Sequence, residues 1–209
     1  MEFEDKIFKK SNLEFNDSIS TYNGWGAQQN PFAFEAFFNF LKEVRPKTIF
    51  EVGTSLGGFT QYLNYTCNIL GIDTSILTFD ILSRDEYKEL RKNGIEVVLE
   101  NIFHENYTTI PEKYIEIIRQ EGTTVVLCDG GDKAREFKLL SQYLKPGDFI
   151  LGHDYAKDQD DFNNRVNGKL WNWFELQESD ISEVCKQYNL EPFMQETFNL
   201  AVWACRRKV

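Results

Sequence analysis

Residues 49–60 read IFEVGTSLGGFT: an apolar run, an acid, and three glycines, Gly53, Gly57 and Gly58, within six positions. An apolar strand that ends in a glycine turn and reopens as a helix is where a backbone comes close to a nucleotide. The dinucleotide fingerprint G-x-G-x-x-G is not met, because Ser55 stands where its second glycine belongs.

On either side of this turn the pattern repeats. Residues 48–53, 76–81, 95–103, 123–130 and 148–154 read as buried strands, with helices expected at 57–70, 86–92, 111–120 and 132–144. Ahead of them, residues 1–30 read as a polar lead-in with turn chemistry at Asn23-Gly24. Asn30 then caps a helix with Pro31 in its first turn, and Phe34, Phe37, Phe38 and Leu41 form one apolar face. Strands that are apolar throughout, separated by amphipathic helices, imply a doubly wound, mostly parallel sheet covered on both faces. After a polar loop (156–170) and the aromatic segment WNWF (171–174), a helix is expected from Asp180, boxed by Glu183. Two strands, EPFMQETF and NLAVWACRR, then read as a terminal antiparallel β-hairpin turning at Asn199. The expectation is one Rossmann-like α/β domain over 1–209 with seven strands: a lead-in and helix (1–46) and a core (47–209).

The 209 residues include 18 Phe and carry a net charge of −10, which argues against duplex nucleic acid or an anionic membrane as partner. No apolar run approaches the roughly 20 residues of a membrane span. Cys67, Cys128, Cys185 and Cys205 form no C-x-x-C pair, so reduced thiols in a cytoplasmic protein are expected. No motif speaks to the oligomeric state.

Ligands of such sheets bind outside the carboxyl ends of the strands. The strand-end residues are Glu51 and Gly53, Asp80, Asn101, Asp129-Gly130-Gly131-Asp132, and His153-Asp154. Asp73 competes with Asp80 as the acid that would meet a ribose; Asp80 is preferred, because ILTFDI (76–81) is the cleaner strand. Asp129, His153 and Asp154 offer two carboxylates and an imidazole to one divalent cation, and the histidine tilts preference from Mg²⁺ toward Mn²⁺, Fe²⁺ or Zn²⁺. Alternatively, Asp129 caps the next helix and His153 is a base without metal. Trp25, Trp171 and Trp173 are candidates for an acceptor lid, His104 for the crevice, and DQDD (158–161) reads as a solvated loop.

This ordering resembles the class I S-adenosylmethionine-dependent methyltransferases. Their first motif, acid-x-Gly-x-Gly-x-Gly, is matched by EVGTSLG (51–57) except at Ser55. A narrower similarity is to metal-dependent O-methyltransferases and the cephalosporin hydroxylase-like family, through RPKTIFEVGTSLGG (45–58), VVLCDGGDK and LKPGDFILGHD. His153-Asp154 stands where two acids, or Asp-Asn, are usual.

The resemblance implies methyl transfer from S-adenosylmethionine to an oxygen of a small or sugar-like acceptor. It places the cofactor at Glu51, Gly53, Thr54, Ser55, Gly57, Gly58, Asp80, Asn101 and Asp129. Mg²⁺ or another divalent metal would sit on Asp129, His153 and Asp154, with Asp129, Asp132, Lys133 and His153 as catalytic candidates. In catechol-type relatives a lysine in this region deprotonates the acceptor; Asp132 occupies that spacing and Lys133 is one position off. The alternatives are an NAD-dependent oxidoreductase, a metal-dependent hydroxylase, or a cofactor-binding relative without turnover.

Overall fold

The computed structural model describes residues 13–16, 19–103 and 108–209. Where the sequence suggested a plain lead-in, the structure has a small antiparallel sheet of β1 (Leu13–Asn16), β2 (Ile19–Tyr22) and β3 (Trp25–Gly26). Asn23 and Gly24 both take positive φ, 52° and 80°, the backbone of a tight hairpin turn between β2 and β3. Helix α1 (Pro31–Val44) follows, capped by the Asn30 side chain on the Ala33 amide and closed by a left-handed Arg45. Its buried face carries Phe34, Phe37, Phe38, Phe40 and Leu41.

The core then alternates: β4 (Thr48–Val52), α2 (Gly58–Ile69), β5 (Ser75–Asp80), α3 (Tyr87–Lys92), β6 (Glu96–Leu99), α4 (Glu112–Arg119), β7 (Thr124–Cys128), α5 (Lys133–Ser141) and β8 (Phe149–Gly152). Two short parallel strands, β9 (Tyr155–Ala156) and β10 (Leu176–Gln177), bracket a helical turn at Gln159–Asp161 that widens into a π-type turn at Phe162–Val166. The chain ends with α6 (Glu178–Gln187), β11 (Leu190–Pro192), α7 (Gln195–Leu200) and β12 (Ala204–Lys208). The main sheet has seven strands in the order β11-β12-β8-β7-β4-β5-β6. Strand β12 alone runs antiparallel to its neighbours. Order reverses at β4, which pairs with β5 on one side and β7 on the other, so the crevice opens above these strands.

Side chains along β4 and β7 alternate between two apolar layers, Ile49, Val125 and Leu127 on one face, Phe50, Val126 and Cys128 on the other. Every residue of both strands is buried, the physical reason that they are apolar apart from Thr48, Glu51 and Thr124. In the first layer Phe37 meets Phe59, Phe198 and Trp203 edge-on at 4.9, 5.2 and 5.2 Å. Such pairs add about 0.5–1.5 kcal/mol each beyond the area they bury.

Three sequence expectations are corrected. Strand β6 stops at Leu99 rather than 103, which leaves Asn101 in the loop beyond it. Helix α6 starts at Glu178, two residues early, because Asp180 reaches back to the Gln177 amide at 3.0 Å and makes the capping box itself. The two final strands do not meet at Asn199: β11 ends at Pro192 and α7 intervenes, burying Phe198 against Phe37 and Phe40. Tertiary packing there overrides local β preference. All four cysteines are buried free thiols. Among the described residues, no helix is long and apolar enough to cross a membrane.

Candidate active site

The turn after β4 has positive φ at alternate residues: 96° at Gly53, 49° at Ser55 and 77° at Gly57. A Cβ on Gly53 would lie 2.2 Å from the Asp129 carbonyl oxygen, so only glycine fits between β4 and β7. Ser55 adopts the left-handed conformation at a cost of roughly 1–2 kcal/mol. It is held there by its amide, which donates to Asp80 Oδ2 at 2.8 Å, and by its hydroxyl, which donates to Gln28. Gly57 and Gly58 do not line the crevice. Gly57 caps α2 against Leu90, and a Cβ on Gly58 would lie 2.4 Å from the Trp25 carbonyl oxygen. Their requirement is close packing rather than room for a ligand.

A cavity of about 440 Å³ opens at the strand ends, lined by Glu51, Gly53, Thr54, Ser55 and Asp80 on one side and by Asp129, Lys133, His153 and Asp154 on the other. Asn101 lines it from the loop after β6, its Oδ1 accepting from the Phe103 amide at 3.0 Å. Asp73 is outside, exposed and paired with Lys47 at 2.6 Å, so Asp80 is the acid at this mouth. Asp80 Oδ2 meets the Ser55 amide and the Tyr87 hydroxyl (2.9 Å), while Oδ1 accepts from the Leu82 amide at 2.8 Å. The Asp80 lone pair that remains free is therefore on Oδ1, and a bidentate contact would require Tyr87 to turn away.

Glu51 is buried at the base of the cavity, where its Oε2 accepts from the Thr60 and Thr78 hydroxyls, both at 2.6 Å. Burial pushes its carboxyl up to about 7 against an ordinary 4.5. Burial does the same to Glu136, also to about 7, though it accepts from the Gly130 and Asp132 amides at 3.1 and 3.2 Å. A carboxyl with a raised folded-state pKa stabilises fully below its unfolded value and loses that contribution as pH rises through the folded value. The ligand-free protein is thus expected to lose stability between about pH 4.5 and 7, by up to about 3 kcal/mol for each of the two groups. Urea unfolding across this range would show it. Glu51→Gln should flatten the slope, and an unchanged slope in Glu51→Gln and Glu136→Gln together would refute the assignment.

On the opposite wall five titratable groups converge. Asp129 Oδ1 lies 2.9 Å from His153 Nδ1, and its Oδ2 accepts from Gln29 Nε2 at 3.0 Å. Lys133 Nζ lies 2.9 Å from Asp154 Oδ2, 2.8 Å from Glu175 Oε2 and 3.2 Å from the Gly130 carbonyl. Burial opposes its charge, but the Asp129 and Asp154 carboxylates prevail and hold Lys133 above the ordinary lysine range. It is a cation at any physiological pH, a poor proton acceptor and a good anchor for negative charge. Burial likewise opposes a charged His153, and the Asp129 and Asp154 carboxylates outweigh it and raise its pKa. Asp132, by contrast, does not line the cavity; it caps α5 on the Arg135 amide and pairs with that arginine at 3.2 Å.

Ligand atoms of Asp129, His153 and Asp154 lie within 4.8 Å of one another, close enough to share one divalent cation. All three are already engaged, Asp129 and His153 Nδ1 by each other and Asp154 by Lys133. Trp171, donating through Nε1 to Asp154, and the half-exposed Trp173 line the cavity, whereas Trp25 does not. His104 lies outside the described residues. In DQDD, Asp158 caps the helical turn and Asp161 pairs with Arg165 at 2.6 Å, both structural duties.

Sequence reasoning passed over Gln28, Gln29, Arg84, Glu136 and Glu175, all but Gln29 lining the cavity. None terminates a predicted strand, so the strand-end rule had no hold on them. The Glu136 position, one turn inside a helix behind a glycine pair, was the readable signal among them.

The profile of the FtsJ-like methyltransferase family matches residues 33–205. Among solved structures, apo CmcI superposes with a TM-score of 0.61 at 20% identity, over 90% of this chain and 76% of that one. A CmcI structure with Mg and SAM gives 0.56 at 16% identity, again over 90% and 76%. An O-methyltransferase family protein from Burkholderia thailandensis gives 0.54 at 9% identity, over 84% of this chain and 55% of that one. At these identities the likeness is one of fold. No curated protein matches the chain significantly.

Proposed function

Since the chain belongs to the FtsJ-like methyltransferase family, we propose that it transfers a methyl group from S-adenosylmethionine to an oxygen of a small or sugar-like acceptor. The observation that supports this reading is the division of one cavity into two halves of different chemistry. One half offers the Gly53 turn with the Glu51 and Asp80 carboxylates, suited to a ligand that carries an ammonium and a ribose. The other offers a buried cation and a carboxylate–imidazole pair, suited to a hydroxyl that must lose its proton.

The sulfonium supplies an already activated methyl group, so the work left to the chain is alignment and proton removal. Glu51 receives the ammonium end of the donor, with Gly53, Thr54 and Ser55 against its backbone side and Asp80 at the ribose. Asn101, Ile102 and Phe103 flank the adenine. Of the three groups around Lys133, Glu175 is the half-exposed one, and therefore the partner that an acceptor oxygen displaces. Lys133 then steadies the negative charge developing on that oxygen, and His153 takes the proton. The donor atoms of Asp129, His153 and Asp154 would hold a divalent ion, which would polarise the acceptor oxygen when bound.

Calorimetric titration with S-adenosylhomocysteine, before and after chelation and with NAD as the comparison, tests the proposal. Micromolar binding of the homocysteine compound alone is expected. Because Glu51 is protonated in part at neutral pH, the bound ammonium should expel a proton, and the heat should vary with the buffer's ionisation enthalpy. Heat lost after chelation would mark a metal-assisted member. Binding of NAD, or of neither ligand, would end the methyltransferase reading for this cavity.

A further inference from the structure

We infer that Gln29, ahead of α1, is a positioning residue that fixes which nitrogen of His153 carries the proton in the metal-free protein. The orientation of its amide is set by its partners. Trp203 Nε1–H can only donate, so the atom 2.8 Å from it is Gln29 Oε1. That turns the Gln29 amino group toward Asp129 Oδ2, at 3.0 Å. With its other oxygen, Asp129 then accepts from His153 Nδ1 at 2.9 Å. The proton of the neutral ring is thereby on Nδ1, and the lone pair is on Nε2, a buried atom with no hydrogen-bond partner among the described residues.

The relay spans the chain. Trp203 lies between α7 and β12, and its ring stacks on His153 with centroids 4.7 Å apart. Gln29 is buried, and its backbone carbonyl accepts from the Ser20 hydroxyl at 2.7 Å, which anchors the main chain beneath a side-chain amide held by Trp203 on one side and Asp129 on the other. It lies ahead of residues 33–205, the part that matches the family.

The purpose of the relay rests on the proposed methyl transfer, whereas its geometry does not. In that reaction the acceptor O–H bond breaks and its proton joins Nε2, which the acceptor reaches only once the packing that buries this atom opens. The electron pair left on oxygen forms the new bond to the methyl carbon, and the C–S pair departs with sulfur. Asp129 keeps its hydrogen bond to Nδ1–H throughout and balances the imidazolium that forms.

The chain has two histidines, so the tautomer is readable by long-range ¹H–¹⁵N correlation spectra of labelled, chelator-treated protein at alkaline pH, with His104→Gln giving the assignment. The expected wild-type spectrum shows a protonated Nδ1 and a bare Nε2 for His153. Gln29→Leu should lower the ratio of this tautomer to the other by about tenfold, the scale of one lost hydrogen bond to a charged group. Trp203→Phe keeps the ring and frees the amide to flip, so it should shift the ratio in the same direction and carries the test if Gln29→Leu does not fold. A wild-type Nε2–H tautomer, or a ratio unchanged in both variants, would overturn the inference. Homocysteine-compound binding measured on the same samples separates the two ideas: a protein with the expected tautomer and no binding would keep the relay and lose the proposed function.

Discussion

Lys133→Met is expected to cost about 3–5 kcal/mol of folding stability at neutral pH, the range found when one partner of a buried ion pair is removed. The lysine is 6% exposed and stands among Asp154, Glu175 and, at 3.9 Å, Asp129. Methionine fills similar volume, so the loss is electrostatic, three carboxylates left without the cation between them. The sign of its pH dependence follows. In the native protein Asp154 sits below the ordinary carboxylate range; burial works against this, and His153 and Lys133 outweigh it. It therefore stabilises above its unfolded pKa, and that contribution fades in acid. Without Lys133 one of the groups that offset burial is lost and its pKa rises, so the variant's deficit should be largest near pH 7 and shrink toward about pH 4. Urea unfolding at both ends of the range measures this. A deficit below about 1 kcal/mol at neutral pH would mean that the ammonium is effectively solvated. Methyl transfer, once an acceptor is identified, should fall in the same variant by about a hundredfold or more, the usual scale for losing a group that meets developing charge.

Gly53→Ala should be nearly as damaging, through sterics alone. Its Cβ would stand 2.2 Å from the Asp129 carbonyl oxygen and 2.5 Å from the carbonyl carbon, at a φ of 96°. Left-handed strain and forced displacement of a packed strand each cost roughly 1–3 kcal/mol, so a loss of about 3 kcal/mol or more is expected. Gly58→Ala meets the Trp25 carbonyl at 2.4 Å and should be destabilised comparably. The two differ in function. Gly53→Ala pushes on the strand end that carries Asp129 and should weaken homocysteine-compound binding in the protein that remains folded, while Gly58→Ala should leave affinity intact. Thermal melts and calorimetry on both variants decide it, and equal affinities would remove Gly53 from the binding surface.

The parallel core was legible because its signals are local. Glycines after an apolar run, proline and asparagine at the start of α1, and unbroken apolar strands each state a backbone requirement within a few residues. The same holds for the strand ends: Glu51, Asp80, Asp129, His153 and Asp154 meet at one cavity because parallel strands place their carboxyl ends on one edge. What escaped is non-local. The preference of α7 for a helix comes from the aromatic cluster of α1. Gln29 is an ordinary polar residue until Trp203, 174 positions later, fixes its amide. Asp132 matched a spacing that the helix start then used for its own cap. Gly57 and Gly58 read as ligand-binding glycines because a close approach leaves the same signature whether a ligand or another strand comes near.

One topological detail governs how this sheet is assembled. Strand β12 follows β11 in the chain but lies inside it in the sheet, between β11 and β8. During synthesis β11 therefore emerges with no neighbour to pair with, and β8 waits as a raw edge until β12 arrives. Trp203 comes with that strand, so the wall behind His153 is installed in the same event that closes the edge. A nascent chain that has completed five parallel strands is consequently sticky and inactive together, and the closing strand ends both conditions at once.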